Sequence, residues 1–176
     1  VDISRERVGA AVGLAKKYKL LRARIFCTDG QVFDVPPHAI LDDASGESVD
    51  RGGRSFDELY SSQQSRPLWS SYPYRHRLGL IVPEVQYDRV LVDAPCTHDG
   101  SIKHIRKHIA SDWKYYEDRH YERDELEQLY NLQLKLLTNG FKMLRPGGLL
   151  VYSTCSQSAA QNVLIIEKFL NANAQE

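Results

Sequence analysis

The sequence has no net charge, no long apolar run and few cysteines. Its 176 residues carry 23 Lys+Arg against 23 Asp+Glu. That balance argues against a stand-alone nucleic-acid binder, which is normally basic. No stretch approaches the ~18–20 apolar residues that a bilayer span needs, so no membrane partner is expected. The opening residues VDISRERV match neither a signal peptide nor an Arg-rich transit peptide. The three cysteines, Cys27, Cys96 and Cys155, lie far apart and form no CxxC or CxxH pair. They make no disulfide framework and no zinc motif, and they fit an intracellular, reducing compartment, which the sequence does not name. There is no internal repeat and no G-x-G anywhere. With 42% apolar and 26% charged residues, the composition is that of a folded domain rather than a disordered chain.

Helix and strand signals alternate along the chain. Val8, Ala11, Val12 and Ala15, with Leu14 beside them, recur at helical spacing behind Ser4, a natural N-cap, and Lys16, Lys17 and Lys19 crowd the C-terminal end. Residues 24–28 read as a short strand stopped by the turn dipeptide Asp29-Gly30. Residues 34–78 have low apolar periodicity and read as an irregular insertion, with Trp69, Tyr72 and Tyr74 near its end suited to packing. The run 87–93 reads as a strand buried on both faces, as in a parallel sheet. A polar stretch, 97–123, precedes a long amphipathic helix from Glu125 to Met143, with Leu126, Leu129, Leu132 and Leu136 on one face and Leu137, Phe141 and Met143 continuing it. Arg145-Pro146-Gly147-Gly148 is expected to stop that helix before a second buried strand at 149–153. A last helix over about 159–170 is expected to turn Val163, Ile166, Phe169 and Leu170 inward. The pattern is α/β.

In open α/β sheets, ligands bind beyond the carboxyl ends of the strands. Asp2, Asp29, Asp93, Cys96 and Cys155 all fall just past such ends. Each also has a plainer reading: Asp after a strand is a common turn former, and Cys in apolar sequence is commonly an inert core residue. Cys27, inside its strand, reads as core. Cys96 and Cys155 lie among polar and turn residues, where burial alone would not place them. The segment 98–123 interleaves Lys103, Arg106, Lys107, Lys114, Arg119 and Arg123 with Trp113, Tyr115, Tyr116 and Tyr121. That mixture suits a phosphate-tracking, base-stacking surface, although Asp112, Glu117, Asp118, Glu122 and Asp124 dilute it toward ordinary solvated surface. Its histidines, His98, His104, His108 and His120, form no compact metal-ligand set in sequence. A Cys-dependent hydrolase would need a partner such as His38 or His98, but no nucleophile elbow surrounds them.

Asp93-Ala94-Pro95-Cys96-Thr97, Leu144-Arg145-Pro146-Gly147-Gly148 and Tyr152-Ser153-Thr154-Cys155-Ser156 resemble the fourth and sixth motifs of the Nop/Sun family of RNA cytosine-5 methyltransferases, with the Pro-Gly-Gly turn that precedes the sixth. Asp2-Ile3-Ser4 with Arg7 resembles the family's D-x-S-x-x-R segment, and Asp29-Gly30 its acidic third motif. The resemblance spans most of the chain outside 34–78. It implies a Rossmann-like, S-adenosylmethionine-dependent methyltransferase fold. It also implies that residues 1–176 are a single partial domain, because the first strand with its Gly-rich loop and the terminal hairpin have no counterpart here.

The chemistry of that reaction requires a thiol. C5 of cytosine is too weak a nucleophile to attack a methyl sulfonium until a thiolate adds at C6, and a base must later remove the C5 proton. On chemistry alone, the two cysteines could exchange roles. The resemblance implies that Cys155 attacks, that Cys96 assists release and that Asp93 binds and protonates the N3/N4 edge beside the cofactor. It also implies that Asp2 takes the ribose hydroxyls, that Asp29 takes the adenine amino group, and that Arg7 braces Asp2 or the cofactor. Arg7 as a solvated helix charge is the plainer alternative. The expected partner is tRNA or rRNA, gripped largely by segments outside this chain, with ribosomal or assembly proteins as further partners through 34–78. The competing expectation is a catalytically inactive protein of the same fold, serving as an RNA-bound assembly scaffold.

Overall fold

The computed structural model describes residues 1–20, 23–37, 67–71, 86–111, 114 and 122–174. The chain forms two compact units, Val1–Tyr87 and Asp88–Glu176.

In the first unit, helix α1 (Arg5–Lys17) starts at Ser4, whose hydroxyl accepts from the Arg7 backbone N–H at 3.4 Å, and ends on Lys16 and Lys17. Its inward face is Val8 and Ala15; Ala11 and Leu14, counted on the apolar side by spacing, are exposed. Lys19 takes a left-handed backbone (φ 50°) just beyond the helix. The expected strand 24–28 is divided between two partners. Strand β1 (Arg24–Ile25) pairs antiparallel with β2 (Trp69–Ser70). Two residues on, Cys27 forms a parallel bridge with Asp2: the Asp2 N–H donates to Phe26 O at 3.2 Å, and the Thr28 N–H donates to Asp2 O at 3.1 Å. Phe26 and Val35 are buried, with Phe33 edge-on to Phe26 at 5.1 Å. Within the stretch read as an irregular insertion, Trp69 lies in β2. Tyr72, Tyr74 and His38 lie outside the described residues.

In the second unit, β3 (Tyr87–Asp93) pairs with β4 (Leu144–Ser153). The guanidinium of Arg145 pairs with Asp88 at one end, and the Ala94 N–H donates to Ser153 O at the other. The two strands therefore run parallel. Between them in sequence lie α2 (Ile102–Ser111) and α3 (Arg123–Lys142). A short 3-10 turn (Ala159–Gln161) then leads into α4 (Val163–Asn173). Helix α3 lies close on one face of the strands. A Cβ on Gly140 would meet a Val92 methyl at 2.7 Å, so only glycine allows this approach.

Several sequence expectations are corrected here. The polar stretch 97–123 contains helix α2. The core line of α3 is not Leu126–Leu129–Leu132–Leu136, which are half-buried, but Gln133 and Leu137, with Tyr130, Leu134 and Phe141 beside them. At 3.6 residues per turn, that line alone faces both the strands and α4. In α4, Phe169 is buried and Ile166 packs on the core as expected, but Ile165 is the second buried residue, and Val163 and Leu170 are exposed. Arg145-Pro146-Gly147-Gly148 does not lie between helix and strand: α3 caps at Met143, and β4 begins at Leu144. Proline is tolerated in the first residues of a strand, where its missing N–H interrupts no ladder, and Gly147 supplies a left-handed turn (φ +73°). Finally, β3 and β4 are not buried on both faces. Leu91 is 67% exposed, and Leu149 and Val151 are exposed on the same side.

Leu137, Ile165 and Phe169 form the core, with the Phe141 and Phe169 rings edge-to-face at 5.3 Å. Leu137, 1% exposed, sits at its centre. Leu137→Ala should cost about 2–5 kcal/mol of stability in urea unfolding, as cavity-forming truncations do; a loss below about 1 kcal/mol would mean that this core is wrongly identified.

Candidate active site

The parallel pairing of β3 and β4 carries their carboxyl ends to the same edge. Past β3 come Asp93-Ala94-Pro95-Cys96; past β4 come Thr154-Cys155. The result is a direct meeting of the two thiols, with Cys96 Sγ 3.2 Å from Cys155 Sγ. Cys96 is buried and Cys155 exposed. Asp93 stands beside them, accepting from the Ser153 hydroxyl at 3.0 Å on one carboxylate oxygen. Its other oxygen carries no hydrogen bond among the described residues.

His98 completes the cluster. Its Nδ1 is 2.8 Å from Cys155 Sγ and 3.7 Å from Cys96 Sγ. Its ring stacks on His104 at 4.4 Å, and its backbone is left-handed (φ 58°), an uncommon conformation for a non-glycine residue. The three potential ligand atoms of Cys96, His98 and Cys155 lie within 4.8 Å of one another. Two nitrogen or sulfur ligands of one tetrahedral zinc are about 3.5 Å apart, given bond lengths of roughly 2.0–2.3 Å. At 2.8 Å, His98 Nδ1 and Cys155 Sγ are nearer than two ligands of one zinc and closer than an ordinary sulfur hydrogen bond, and the cluster reads as a proton-sharing triad.

The electrostatics agree with proton sharing. Burial pushes the Cys155 thiol up to about 11, assisted by the hydrogen bond and the charge of Cys96 and by Asp93. Two sulfurs in contact cannot both ionise readily, so removing a proton from one hinders the other. Tyr152 is likewise raised to about 12, by burial and by the charge of Cys96.

A buried polar network holds the two strand-end loops together. Gln161, 1% exposed, accepts from the Thr97 N–H at 3.1 Å and from Gln133 Nε2 at 3.3 Å, and its own amide donates to Thr97 Oγ1 at 2.9 Å. Gln133 Nε2 also donates to Pro95 O at 2.8 Å. Asp99 accepts from the Thr97 hydroxyl at 2.5 Å and from the Gln157 N–H at 3.0 Å. Partial burial works to raise the Asp99 carboxyl, but hydrogen bonds from Ser156, Thr97 and Gln157 hold it below its ordinary value. Gly100 packs where a Cβ would lie 2.6 Å from Cys155 O, the same atom that accepts from the Gly100 N–H at 2.9 Å. Sequence reasoning met Thr97 only as the last residue of the Asp93–Thr97 motif, and it missed Asp99, Gly100, Gln133 and Gln161. The Asp99-Gly100 turn dipeptide was the only signal for any of them.

The first unit holds the other carboxylates. Asp2 Oδ1 accepts from the Ser4 N–H at 2.7 Å and pairs with Arg7 at 3.0 Å, the Arg7 side chain remaining 69% exposed. Asp2 Oδ2 carries no hydrogen bond among the described residues. Asp29 accepts from the Gln31 N–H at 2.8 Å and from the Gln31 side-chain amide. The bridge between Asp2 and Cys27 puts both carboxylates just past neighbouring parallel segments. This pair of acceptors suits the hydroxyls and amino group of a nucleoside.

Two thiols and a carboxylate at adjacent strand ends of a mixed α/β unit are groups that methyl- or acyl-transfer chemistry can use. The comparisons narrow this. Residues 73–176 match the family model of the 16S rRNA methyltransferase RsmB/F, and the chain belongs to that family, within the Nop/Sun group. It is 41% identical over 87 residues to a mitochondrial tRNA (cytosine(34)-C(5))-methyltransferase of Danio rerio, covering 48% of this chain and 21% of that protein. It is 37% identical over 89 residues to ribosomal RNA small subunit methyltransferase B of Pasteurella multocida, covering 51% and 18%. It is 36% identical over 90 residues to the 5-cytosine rRNA methyltransferase NSUN4 of Xenopus laevis, covering 51% and 20%. The matches thus span about a fifth of each relative's length.

Gln161→Leu should strip Thr97 N–H and Gln133 of their partner and cost about 2–4 kcal/mol in urea unfolding. Two-dimensional NMR should show the Thr97 and Cys96 amides shifting with it; unchanged stability and amide positions would contradict the network's role.

Proposed function

We propose that this chain is the catalytic core of an RNA cytosine-5 methyltransferase acting on tRNA or rRNA. The observation that carries the reading is the 3.2 Å meeting of Cys96 and Cys155 beside Asp93. An inert scaffold has no physical need of two thiols in contact at a strand edge, and this weighs for the catalytic reading over the non-catalytic one.

In this reading, Cys155 adds to C6 of the target cytosine. Its exposure suits an attacking atom, while the buried Cys96 lies behind it. Formation of the S–C6 bond pushes the ring electrons toward N3, where Asp93 delivers a proton through its free oxygen and takes it back when the aromatic ring is restored. S-adenosylmethionine, when bound, supplies an electrophilic methyl group to C5. Asp2 Oδ2 takes a ribose hydroxyl, with Arg7 fixing the carboxylate's orientation, and Asp29 takes the adenine amino group. Cys96 then helps to remove the C5 proton, the S–C6 bond breaks and the thiol is regenerated.

The same reading takes residues 1–176 as part of one Rossmann-like catalytic domain, with 34–78 inserted in it and available to ribosomal or assembly proteins. The exposed side chains of Leu91, Leu149 and Val151 are what a sheet covered on both faces would bury. On α2, Lys103, Arg106 and Lys107 are exposed at the i, i+3, i+4 spacing of one helix face and suit RNA phosphates. Free thiols at the site suit a reducing compartment.

The test uses the full-length protein, tritiated S-adenosylmethionine and total tRNA and rRNA. Cys155→Ala should lower methylation by at least a thousandfold. Cys96→Ala should leave a covalent RNA–protein adduct that survives denaturing electrophoresis. Methylation retained by Cys155→Ala and lost in Cys96→Ala would invert the two roles; no methylation of either RNA by the wild type would sink the reading.

A further inference from the structure

The Cys155 thiol has a specific difficulty. A thiol pushed up toward 11 by desolvation and by the neighbouring Cys96 is overwhelmingly protonated at neutral pH. The addition step needs the thiolate. Some group must therefore take the proton as the sulfur attacks, and that group must touch the sulfur.

Among the described residues, Cys96 Sγ and His98 Nδ1 are the side-chain atoms hydrogen-bonded to Cys155 Sγ within 3.5 Å, at 3.2 and 2.8 Å. Cys96 cannot serve well as the base, because its charge and its hydrogen bond are among the causes that raise Cys155. An imidazole has the right basicity for the task at neutral pH. We infer that His98 is the general base that takes the Cys155 proton, a role resting on the reading of Cys155 as nucleophile.

The surroundings of His98 are built to aim it. Its φ of 58° is a backbone state that non-glycine residues adopt at a cost, and such states persist where the structure around them demands it. Two residues after Cys96, this conformation turns the side chain back toward both sulfurs. The His104 ring lies parallel to it, 15° from coplanar, at 4.4 Å, and His104 is itself held by Nδ1 to the Ser101 hydroxyl at 2.9 Å. Downstream, Asp99 is occupied by Thr97 and Gln157, and its backbone neighbour Gly100 is bonded to Cys155 O. Among the described residues, Cys96, Cys155 and His104 touch the His98 ring, with Asp99 next in sequence and Asp93 close enough to act on Cys155. A hydrogen bond from Cys155 to Nδ1 requires the ring proton to sit on Nε2.

The proton balance closes. The Cys155 S–H bond breaks, its proton goes to Nδ1 and its electron pair forms the S–C6 bond. After methyl transfer the C5–H bond breaks, its proton leaves by way of Cys96 to solvent, and its electron pair re-forms the C5–C6 double bond. The S–C6 bond then breaks, the electron pair returns to sulfur, and the His98 imidazolium gives the proton back. No oxidant or further reactant enters.

The test reads the thiol directly, without methylation. Full-length protein is treated with iodoacetamide across pH 5.5–10, and the alkylation rate at Cys155 is followed by peptide mass spectrometry. His98→Asn is the first variant, because Asn tolerates the left-handed backbone but offers no base. His98→Gly, with and without added imidazole, is the second. Wild type should show a reactive plateau at neutral pH. Both variants should lose at least tenfold in rate at pH 7, with the midpoint of the profile moved up by at least one pH unit, and imidazole should restore part of the rate in His98→Gly. A Cys155 profile unchanged in whichever variant folds, judged by its thermal melt, overturns the inference. A His98-dependent profile in a protein that methylates no RNA would leave the proton relay standing and count against the methyltransferase reading alone. Methylation through Cys155 that is independent of His98 would count against the relay alone.

Discussion

The site depends on one arrangement, the parallel pairing of β3 and β4. Hydrogen bonding from Ala94 to Ser153 fixes the register at the carboxyl end. That register decides which residues meet once the two chains leave the sheet. Three residues beyond Asp93 and two beyond Ser153, the sulfurs of Cys96 and Cys155 come within 3.2 Å. A slip of one residue would turn alternate side chains to the opposite face and part the pair. The remaining features serve this meeting. Gly140 lets α3 press on Val90 and Val92, the Leu137–Phe169 core fixes α3 against α4, and α4 follows directly from the turn that carries Gln161.

Burial and polarity are balanced unusually at that edge. Loops that leave a sheet normally satisfy their backbone in water. Here Thr97 and Cys96 are buried, and the Thr97 N–H and the Pro95 carbonyl find partners in the side chains of Gln161 and Gln133. Gln133 is fully buried, and its Oε1 has no hydrogen-bond partner among the described residues. A buried, incompletely satisfied amide is costly. Its retention at this position is understandable because its Nε2 ties α3 to both strand-end loops at once. The same partial desolvation holds the Cys155 proton on sulfur until a base takes it.

Much of this was legible in the sequence, for physical reasons that differ by element. The helix after Ser4 and the strands at 87–93 and 149–153 follow from capping chemistry and continuous apolar runs, which are local properties. Cys96, Cys155 and Asp93 could be placed on one edge because a strand end is a local event and parallel strands share a direction. The choice of inward residues on α3 and α4 was not legible at that level, since Leu132 and Leu137 are chemically alike and only the neighbours decide which is buried. Gln133 and Gln161 read as solvated polar residues, and their partners lie 28 to 64 positions away. His98 was visible as one histidine of a polar segment and, with His38, as a candidate partner for a cysteine, with nothing to choose between the two. Its importance comes from a backbone angle and a stacking neighbour that no spacing rule encodes.

The central claim is that Cys155, not Cys96, bonds to the base. The most direct measurement uses RNA carrying 5-fluorocytidine, whose C5 fluorine cannot be abstracted, so that the covalent intermediate accumulates. Full-length protein would be incubated with such tRNA and rRNA in the presence of S-adenosylmethionine, digested, and the nucleotide-bearing peptide sequenced by mass spectrometry. The account expects the adduct on the peptide containing Tyr152-Ser153-Thr154-Cys155, with the mass attached at Cys155. An adduct at Cys96, or no adduct with either RNA, would contradict it.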